Sequence, residues 1–426
     1  METYQSEKAY LDDLSKRAAL PEGFQCAVGS LQFQPVEKIY AKPLKMNLTL
    51  IKADNPVSSF GAVFTKNKFP GAPVLIGKKR LQEKTMQAIF VNNKISNVCT
   101  EGGEAAAYAI CQEIGKACNI SADSIFPAST GIIGWKLPVQ DMIKAIPGLT
   151  AKLGRSEMLG AAQSIMTTDA FPKLRSIDVG EGRIWGIAKG AGMIEPNMAT
   201  MLVFLLTDLD ISRENIRYAL KEAADLSFNR ISIDSDQSTS DSVIIMSSRL
   251  KPAVPPEEFQ KALNKVCMEL AEDVVRNGEG TGHVIQVDVK GHLDEKIALG
   301  IGKYLINSPL VKTAIYGKDP NVGRILMAVG DYLGTNDIDL PLDKLRIYMG
   351  GVLLFEENQF QLSVDNEEKL YQYMVDTALT PENKGFPEHD KKVVIEVIFG
   401  EGGPCRRVLG SDLTYEYIRE NAEYRS

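Results

Sequence analysis

The sequence of 426 residues lacks several features that would each point to a class of protein. It has only three histidines, His283, His292 and His389, so a Ser-His-Asp triad has few candidates for its base. Its six cysteines stand singly, with no C-x-x-C pair and no nearby histidine to complete a metal site. We therefore expect reduced, mostly buried cysteines, no bound metal, and a proton acceptor other than histidine.

A strong excess of one charge is also missing. The formal net charge is −7, and the lysines and arginines are scattered, which leaves no basic surface for nucleic acid. The longest apolar runs, such as residues 201–206 and 393–399, are far shorter than the ~20 residues of a membrane span. Residues 1–16 have neither a signal-peptide core nor the character of a transit peptide. The sequence predicts a cytoplasmic protein with no nucleic-acid or membrane partner.

What the chain does contain is an alternation of strand-like and amphipathic helical runs from end to end. The clearest predicted helices are 104–118, 212–227 and 256–276. The predicted strands are 60–65, 184–188, 201–206, 283–289, 345–349 and 393–399. Several of these strands are apolar throughout, which is typical of a sheet covered on both faces. We predict an α/β or α+β fold in which stacked sheets lie between helices.

The most informative segment is residues 186–202, Gly-Ile-Ala-Lys-Gly-Ala-Gly-Met-Ile-Glu-Pro-Asn-Met-Ala-Thr-Met-Leu. A predicted strand enters a glycine-rich turn, and a second apolar strand leaves it with Thr200 as its first residue. Judged only by its pattern of strands and glycines, this segment is a glycine-rich connection that carries a surface lysine. The spacing of a phosphate-binding loop, which ends in Gly-Lys-Ser/Thr before a helix, is absent.

This segment closely resembles the motif of the ornithine acetyltransferase family, the bifunctional glutamate N-acetyltransferases. In that family the peptide bond before the threonine of Met-Ala-Thr-Met-Leu is broken autocatalytically. The similarity extends over nearly the whole chain, through Ser-Thr-Gly-Ile-Ile-Gly at 129–134, Met-Thr-Thr-Asp at 166–169, Asp-Pro-Asn-Val-Gly-Arg at 319–324 and Asp-Leu-Thr-Tyr-Glu-Tyr at 412–417.

The resemblance implies self-cleavage between Ala199 and Thr200. The products would be an alpha chain of residues 1–199 and a beta chain of residues 200–426, with an N-terminal-nucleophile-like active site at their interface. A threonine hydroxyl is a weak nucleophile, and a neutral α-amine on the same residue, with a pKa of roughly 8, can accept its proton. Cleavage creates that amine, so the shortage of histidine fits this scheme.

The resemblance also implies residue roles. Thr130 and Gly131 would form the oxyanion hole, although alone Ser-Thr-Gly at 129–131 is a polar turn that ends a strand. Substrate contacts would be made by Thr167, Lys189, Thr200, Glu279, Asn421 and Ser426. N-acetylornithine presents a carboxylate and a distal ammonium group, which require a cation or N–H donors at one end and a carboxylate at the other. Without the resemblance, Lys189 would be interpreted as a solvated surface lysine. Glu279 would be interpreted as a carboxylate in a loop.

Two loops have other interpretations that we reject. Glycines around Glu279 superficially suggest a dinucleotide turn, but this segment follows a helix and precedes a strand, the reverse of the required order. The Asp- and Ser-rich residues 234–241 superficially suggest a calcium loop, but Thr239 stands where that loop needs glycine and Ile245 where it needs glutamate. We interpret residues 234–241 as a wall of the active site.

Three departures from the family pattern concern the substrate. The family usually has Gly-Glu-Gly-Ala-Thr-Lys at 278–283, where this chain has Thr281, Gly282 and His283 at the last three positions. It usually has asparagine in place of Ser240 and tryptophan in place of Val322. The nucleophile and oxyanion motifs are intact, so the reaction type is better determined than the substrate.

The leading hypothesis is an acyltransferase of arginine biosynthesis that moves acetyl from N-acetylornithine to glutamate through an acetyl-Thr200 intermediate. Two alternatives stay open: a paralogue that hydrolyses or transfers other acyl groups, and a binding protein that keeps the fold without self-cleavage. We predict no cofactor, and acetyl-CoA stays open as a co-substrate because no nucleotide-binding motif decides it. The cleaved chains should remain paired, and the resemblance suggests further dimerisation to a heterotetramer.

Overall fold

The computed structural model describes residues 4, 6–155, 158–195, 201–379 and 391–423. The predicted cleavage residues Ala199 and Thr200, and the predicted substrate contact Ser426, lie outside these ranges. The strands, in chain order, are β1 Phe24–Phe33, β2 Leu44–Val57, β3 Ser59–Phe64, β4 Met86–Asn92, β5 Ile125–Ser129, β6 Lys173–Val179, β7 Gly182–Lys189, β8 Leu202–Leu209, β9 Ile231–Ser232, β10 Ser242–Lys251, β11 Val284–Lys290, β12 Leu345–Met349, β13 Val352–Glu356, β14 Gln359–Phe360, β15 Val393–Phe399 and β16 Cys405–Ser411.

The helices are interspersed with these strands along the chain. They are α1 Glu7–Arg17, α2 Ala72–Arg80, α3 Gly103–Cys118, α4 Val139–Thr150, α5 Met158–Ser164, α6 Arg213–Leu226, α7 Pro256–Arg276, α8 Glu295–Asn307, α9 Pro309–Tyr316, α10 Val322–Thr335, α11 Val364–Thr377 and α12 Tyr415–Glu423. Short 3-10 turns at Ala122–Ser124 and Phe228–Arg230 precede β5 and β9. No helix in the described ranges is both long and apolar enough to cross a membrane.

The strands of the described residues form three sheets, which divide unequally between the two halves of the chain. The first sheet has the order β1-β2-β4-β5, all from residues before 199, and the third has the order β14-β13-β12-β15-β11-β16-β9, all from residues after 200. The middle sheet has the order β3-β10-β8-β7-β6. It alone takes strands from both halves.

The middle sheet is buried on both faces, and β8 shows why. All eight of its residues are buried. Alternate side chains point to opposite faces of a strand, so Val203 and Leu205 join a core with α6 and α7. Phe204 and Leu206 join a second core, in which the middle sheet packs against the first. Because α3 and α4 cover the outer face of the first sheet, the result is a helix–sheet–sheet–helix stack.

The predicted α/β fold of stacked sheets between helices is confirmed. The third sheet differs from the expectation of fully covered strands, since β15 alternates buried with half-buried residues. The prediction of mostly buried cysteines is correct for Cys26, Cys111 and Cys267 but wrong for Cys99 and Cys405, which are exposed in a loop and at the first residue of β16.

Candidate active site

The segment predicted to carry the nucleophile enters β8 at the centre of the middle sheet. The described chain stops at Glu195 and resumes at Met201. Leu202 pairs with Lys189 of antiparallel β7 on one side and with Ser242 of parallel β10 on the other. The Ser242 amide donates to the Met201 carbonyl at 3.0 Å. The first residues of β8 are therefore held on both flanks by hydrogen-bonded strands.

The glycine-rich turn after β7 is fixed by residues 234–241, the loop predicted as a wall. The Asp234 carboxylate accepts hydrogen bonds from the amides of Met193 and Ile194, at 2.6 and 2.7 Å. The Glu195 amide donates to the Asp236 carbonyl at 2.9 Å. Asp and Asn side chains commonly cap exposed amides in this way. Here the hydrogen bonds to Asp234 and Asp236 hold a turn in which Met193 has a φ of 58°.

Thr167 is tied to the same turn by a buried carboxylate, Asp169. Asp169 accepts hydrogen bonds from the Thr167 amide at 3.0 Å, the Gly190 amide at 2.8 Å and the Lys173 ammonium at 2.5 Å. Burial alone would raise the pKa of Asp169, but the Lys173 and Lys189 ammonium groups hold it below its ordinary value. The carboxylate is therefore ionised, and it joins Thr167 to the residue that follows Lys189.

Glu279 reaches the turn from the end of α7. Its amide donates to the Ala191 carbonyl at 2.8 Å, and its carboxylate accepts from the Asn421 side chain at 3.0 Å. The carboxylate also packs on Gly192, because a Cβ added there would lie 2.4 Å from Glu279 Oε2. A side chain at 192 would therefore displace this carboxylate from its present position. The structure brings Glu279, Asn421 and the turn after Lys189 together.

Thr130 and Gly131 form a tight turn immediately after β5. The Thr130 amide is occupied, since it donates to the Asn92 carbonyl at 3.1 Å. Gly131 has a φ of +123°, and a Cβ there would lie 2.2 Å from the Lys94 carbonyl carbon, so only glycine fits. Neither the Gly131 amide nor the Thr130 hydroxyl bonds to another described residue. These two groups are the donors that the turn leaves for a ligand.

A chain of hydrogen bonds connects this turn to the rest of the site. The Asn93 side chain, next to the Asn92 that holds Thr130, donates to the Met166 carbonyl at 2.9 Å. Met166 precedes Thr167, which Asp169 joins to Gly190. Each predicted site residue within the described ranges, Thr130, Gly131, Thr167, Lys189, Glu279 and Asn421, thus belongs to or adjoins one network near the start of β8.

The three departures from the family pattern differ in kind. His283 is buried, with Nδ1 at 2.7 Å from Asp412 Oδ2 and Nε2 at 2.9 Å from the Met374 carbonyl. These two contacts, one to a side chain and one to the backbone, hold the imidazole ring in place. The Val322 side chain packs in the core of the third sheet. Ser240 precedes Asp241 beside β8, and its hydroxyl has no partner within the described ranges.

A cavity of about 1210 Å³ lies elsewhere, between α6 and α7. Tyr218, Phe259 and Met268 are among its lining residues, and its charged side chains are of both signs. It shares no residue with the network described above. The candidate site is the network, where turns, buried charges and unbonded donors converge, and we assign no function to the cavity.

Comparisons with known proteins find similarity over most of the chain. The chain matches the ArgJ family over residues 36–426. The arginine biosynthesis bifunctional protein ArgJ 2 of Clostridium acetobutylicum is 37% identical over 406 residues, which cover 95% of this chain and 98% of that protein. The ArgJ 2 protein of a Nostoc species is 35% identical over 413 residues, covering 96% of this chain and 98% of its own.

One solved structure superposes on about half of the chain. The crystal structure of the arginine biosynthesis bifunctional protein ArgJ from Bacillus halodurans has 32% sequence identity and a TM-score of 0.45. The match covers 52% of this chain and 98% of the solved chain.

Proposed function

The chain belongs to the ArgJ family and is an acyltransferase of arginine biosynthesis, and we propose that it transfers acetyl from N-acetylornithine to glutamate through an ester on Thr200. The observation that carries this proposal is the hydrogen-bonded network that joins Thr130, Thr167 and Glu279 to the turn before β8. It gathers donors, a cation and a carboxylate near the residue that the motif marks as the nucleophile.

We propose that the chain first cleaves itself into residues 1–199 and 200–426. The Thr200 hydroxyl attacks the Ala199 carbonyl carbon, the new C–O bond replaces the C–N bond, and the hydroxyl proton passes to the released amine. Water then hydrolyses the ester, leaving a carboxylate on Ala199 and restoring the Thr200 hydroxyl. The product carries a nucleophile and an amine base on one residue, so no histidine is needed.

Acetyl transfer then follows in two matched steps. The amine takes the hydroxyl proton while Thr200 attacks the acetyl carbonyl of N-acetylornithine, and ornithine leaves after its amine receives that proton. The glutamate amine attacks the resulting ester in the same way. The Thr130 hydroxyl and the Gly131 amide stabilise the tetrahedral oxyanion, each donor being worth about 3 kcal/mol in comparable sites.

The two ends of the substrate have complementary partners. Lys189 supplies a cation for the carboxylate, while Glu279, oriented by Asn421, supplies a carboxylate for the distal ammonium of ornithine. Thr167 adds a polar side chain, and the hydrogen bond from its own amide to Asp169 fixes its backbone. Ser426 stays a proposed contact outside the described residues.

The assembly and location of the enzyme are further parts of the proposal. The cleaved chains stay paired, because the middle sheet contains strands of both, and two such pairs form a heterotetramer. The reaction as written needs no cofactor, and acetyl-CoA stays open as a second donor. A cytoplasmic site suits a biosynthetic enzyme that acts on free amino acids.

Steady-state kinetics test the central claim of an acyl-enzyme. At several fixed glutamate concentrations, double-reciprocal plots against N-acetylornithine should be parallel, since each substrate reacts with a different enzyme form. Mass spectrometry of enzyme incubated with N-acetylornithine alone should find an acetyl group on the peptide that begins at Thr200. Intersecting lines without this adduct would favour direct transfer.

Replacing Glu279 with glutamine should separate substrate recognition from self-cleavage. Glutamine keeps the size of the side chain and can still contact Asn421, so cleavage should be normal. Losing the charge removes a charge-assisted hydrogen bond of about 1.5–3 kcal/mol to the distal ammonium. At 1.4 kcal/mol per decade, kcat/KM for N-acetylornithine should fall by roughly 10- to 150-fold.

The matched control for Glu279→Gln is a substrate without the distal amine, such as N-acetylnorvaline. Wild type and variant should use it about equally, because it has no ammonium to lose. An equal loss for both substrates, or no loss for N-acetylornithine, would place the ammonium site elsewhere.

A further inference from the structure

The loop that carries Glu279 is joined to the motif Asp-Leu-Thr-Tyr-Glu-Tyr at 412–417, which the proposed reaction has not yet used. The contact is made by Thr414, which is 2% exposed. Its hydroxyl donates to the Gly280 carbonyl at 2.7 Å and accepts from the Tyr417 amide at 3.0 Å. Gly280 has a φ of +62°, and a Cβ there would overlap the Tyr417 backbone nitrogen, so the two backbones are in direct contact. One buried hydroxyl thus holds both the loop and the start of α12.

The second segment that Thr414 holds, α12, carries a partner of the Glu279 carboxylate. The Asn421 side chain donates to Glu279 Oε2 at 3.0 Å. None of the nine residues of α12, all of which the structure describes, is buried. The helix is therefore not fixed by a core of its own. The position of Asn421 depends on polar contacts such as the bond from the Tyr417 amide to Thr414, which is the typical contact of a helix N-cap.

Asp412 attaches the same loop two residues farther along. Its Oδ1 accepts from the Gly282 amide at 2.8 Å, and its Oδ2 lies 2.7 Å from His283 Nδ1. The Asp412 amide donates to the His283 carbonyl at 3.1 Å. Three of the four residues after Glu279 are therefore fixed by the C-terminal motif, two by this carboxylate and one by the Thr414 hydroxyl.

We propose that Thr414 is a positioning residue for substrate recognition, because by holding Gly280 and α12 together it keeps the Glu279 carboxylate and the Asn421 amide in place. It thereby gives the enzyme its preference for acyl donors whose side chain ends in a primary ammonium. The inference rests on the proposed role of Glu279. A charge-assisted hydrogen bond needs a short distance and good alignment, so a shift of the loop weakens it. The acetyl group, which the proposed reaction places at the turn after β5, does not depend on this bond.

The test is Thr414→Val, which keeps the shape of the side chain and removes its hydrogen bonds. N-acetylornithine and N-acetylnorvaline are assayed on one preparation, so the ratio of their kcat/KM values does not depend on the fraction of enzyme that is folded. The value for N-acetylornithine should fall by about 10-fold, mainly through KM, while that for N-acetylnorvaline stays within about 2-fold of wild type. Thr414→Ser keeps the hydroxyl and should keep the wild-type ratio.

A double variant, Glu279→Gln with Thr414→Val, shows whether the two residues act together. If Thr414 acts through Glu279, the valine should cause no further loss with N-acetylornithine once the carboxylate is gone. Ser363→Ala is the matched control, because it removes the capping hydroxyl of α11, which accepts from the Asn366 amide at 3.3 Å. It should leave the ratio of the two substrates unchanged.

The outcomes separate this inference from the proposed function. An equal loss for both substrates in Thr414→Val, a loss that adds fully to that of Glu279→Gln, or the same shift in Ser363→Ala would overturn the inference. So would an unchanged ratio in Thr414→Val when Glu279→Gln loses its preference for N-acetylornithine. If Glu279→Gln keeps that preference, the ammonium site of the proposed function is itself wrong, and the inference falls with it.

Discussion

Thr200→Ala is expected to leave a single chain of 426 residues with no measurable acetyl transfer. The methyl side chain has no oxygen to attack the Ala199 carbonyl, so neither the precursor ester nor the acetyl-enzyme can form. Loss of a catalytic nucleophile typically costs on the order of 10⁴-fold or more in kcat. Intact-mass measurement reports cleavage, and an assay with N-acetylornithine and glutamate reports transfer on the same preparation.

Thr200→Ser is the control for that experiment. Serine keeps the hydroxyl and loses only the methyl group, so it should still give two chains, at a different rate. Two chains from the alanine variant, divided at Ala199–Thr200, would mean that another group breaks the bond. The assignment of the nucleophile would then be wrong.

Gly131→Ala should have the next largest effect, although it adds a single methyl group. The new Cβ would lie 2.2 Å from the Lys94 carbonyl carbon, so the turn must move, and the amide that it presents moves with it. Loss of one oxyanion donor costs about 10²- to 10³-fold in kcat. Because both reactions pass through a tetrahedral oxyanion, we expect self-cleavage and acetyl transfer to slow together.

The same loop offers a matched control in Gly134→Ala. Gly134 also has a positive φ, of +87°, but a Cβ there meets no atom within 4 Å. Both variants therefore carry a strained backbone, and only the first collides with Lys94. Rates of cleavage and transfer should be far lower for Gly131→Ala than for Gly134→Ala. Equal rates for the two variants would show that Gly131 is not part of the oxyanion hole.

Local sequence patterns predict elements whose signals lie within the element itself. The helix at Pro256–Arg276 has the predicted bounds, because a proline suits its first turn and its apolar residues recur every three or four positions. The prediction of 212–227 includes Ser212 and Ser227, which turn out to cap α6. Strands Leu345–Met349 and Val393–Phe399 also have the predicted bounds. The pairing of strands depends on segments that are distant in sequence, so the order of strands in each sheet could not be predicted.

The candidate site is predictable only where a motif marks it. Asp169 stands inside the quoted Met-Thr-Thr-Asp motif, yet its role depends on Lys173, four residues later, and on Gly190, twenty-one residues later. Asp241 ends the polar loop that we interpreted as a wall of the active site, and its burial becomes visible only once β10 enters the sheet. The burial of the Val322 side chain in the core of the third sheet is likewise visible only in the folded chain.

The mixed origin of the middle sheet has a consequence for refolding. β8 and β10 come from residues after 200, and they pair with β7 and β3, which come from residues before 199. In the uncut precursor these partners are tethered, so forming the sheet is a unimolecular event. A break at Ala199–Thr200 would turn the same pairing into an encounter between two molecules. The mature enzyme, once unfolded, should therefore regain its structure at a rate that depends on protein concentration, whereas Thr200→Ala precursor should not. Only the first folding of each molecule, which takes place before self-cleavage, would then proceed without the encounter of two separate chains.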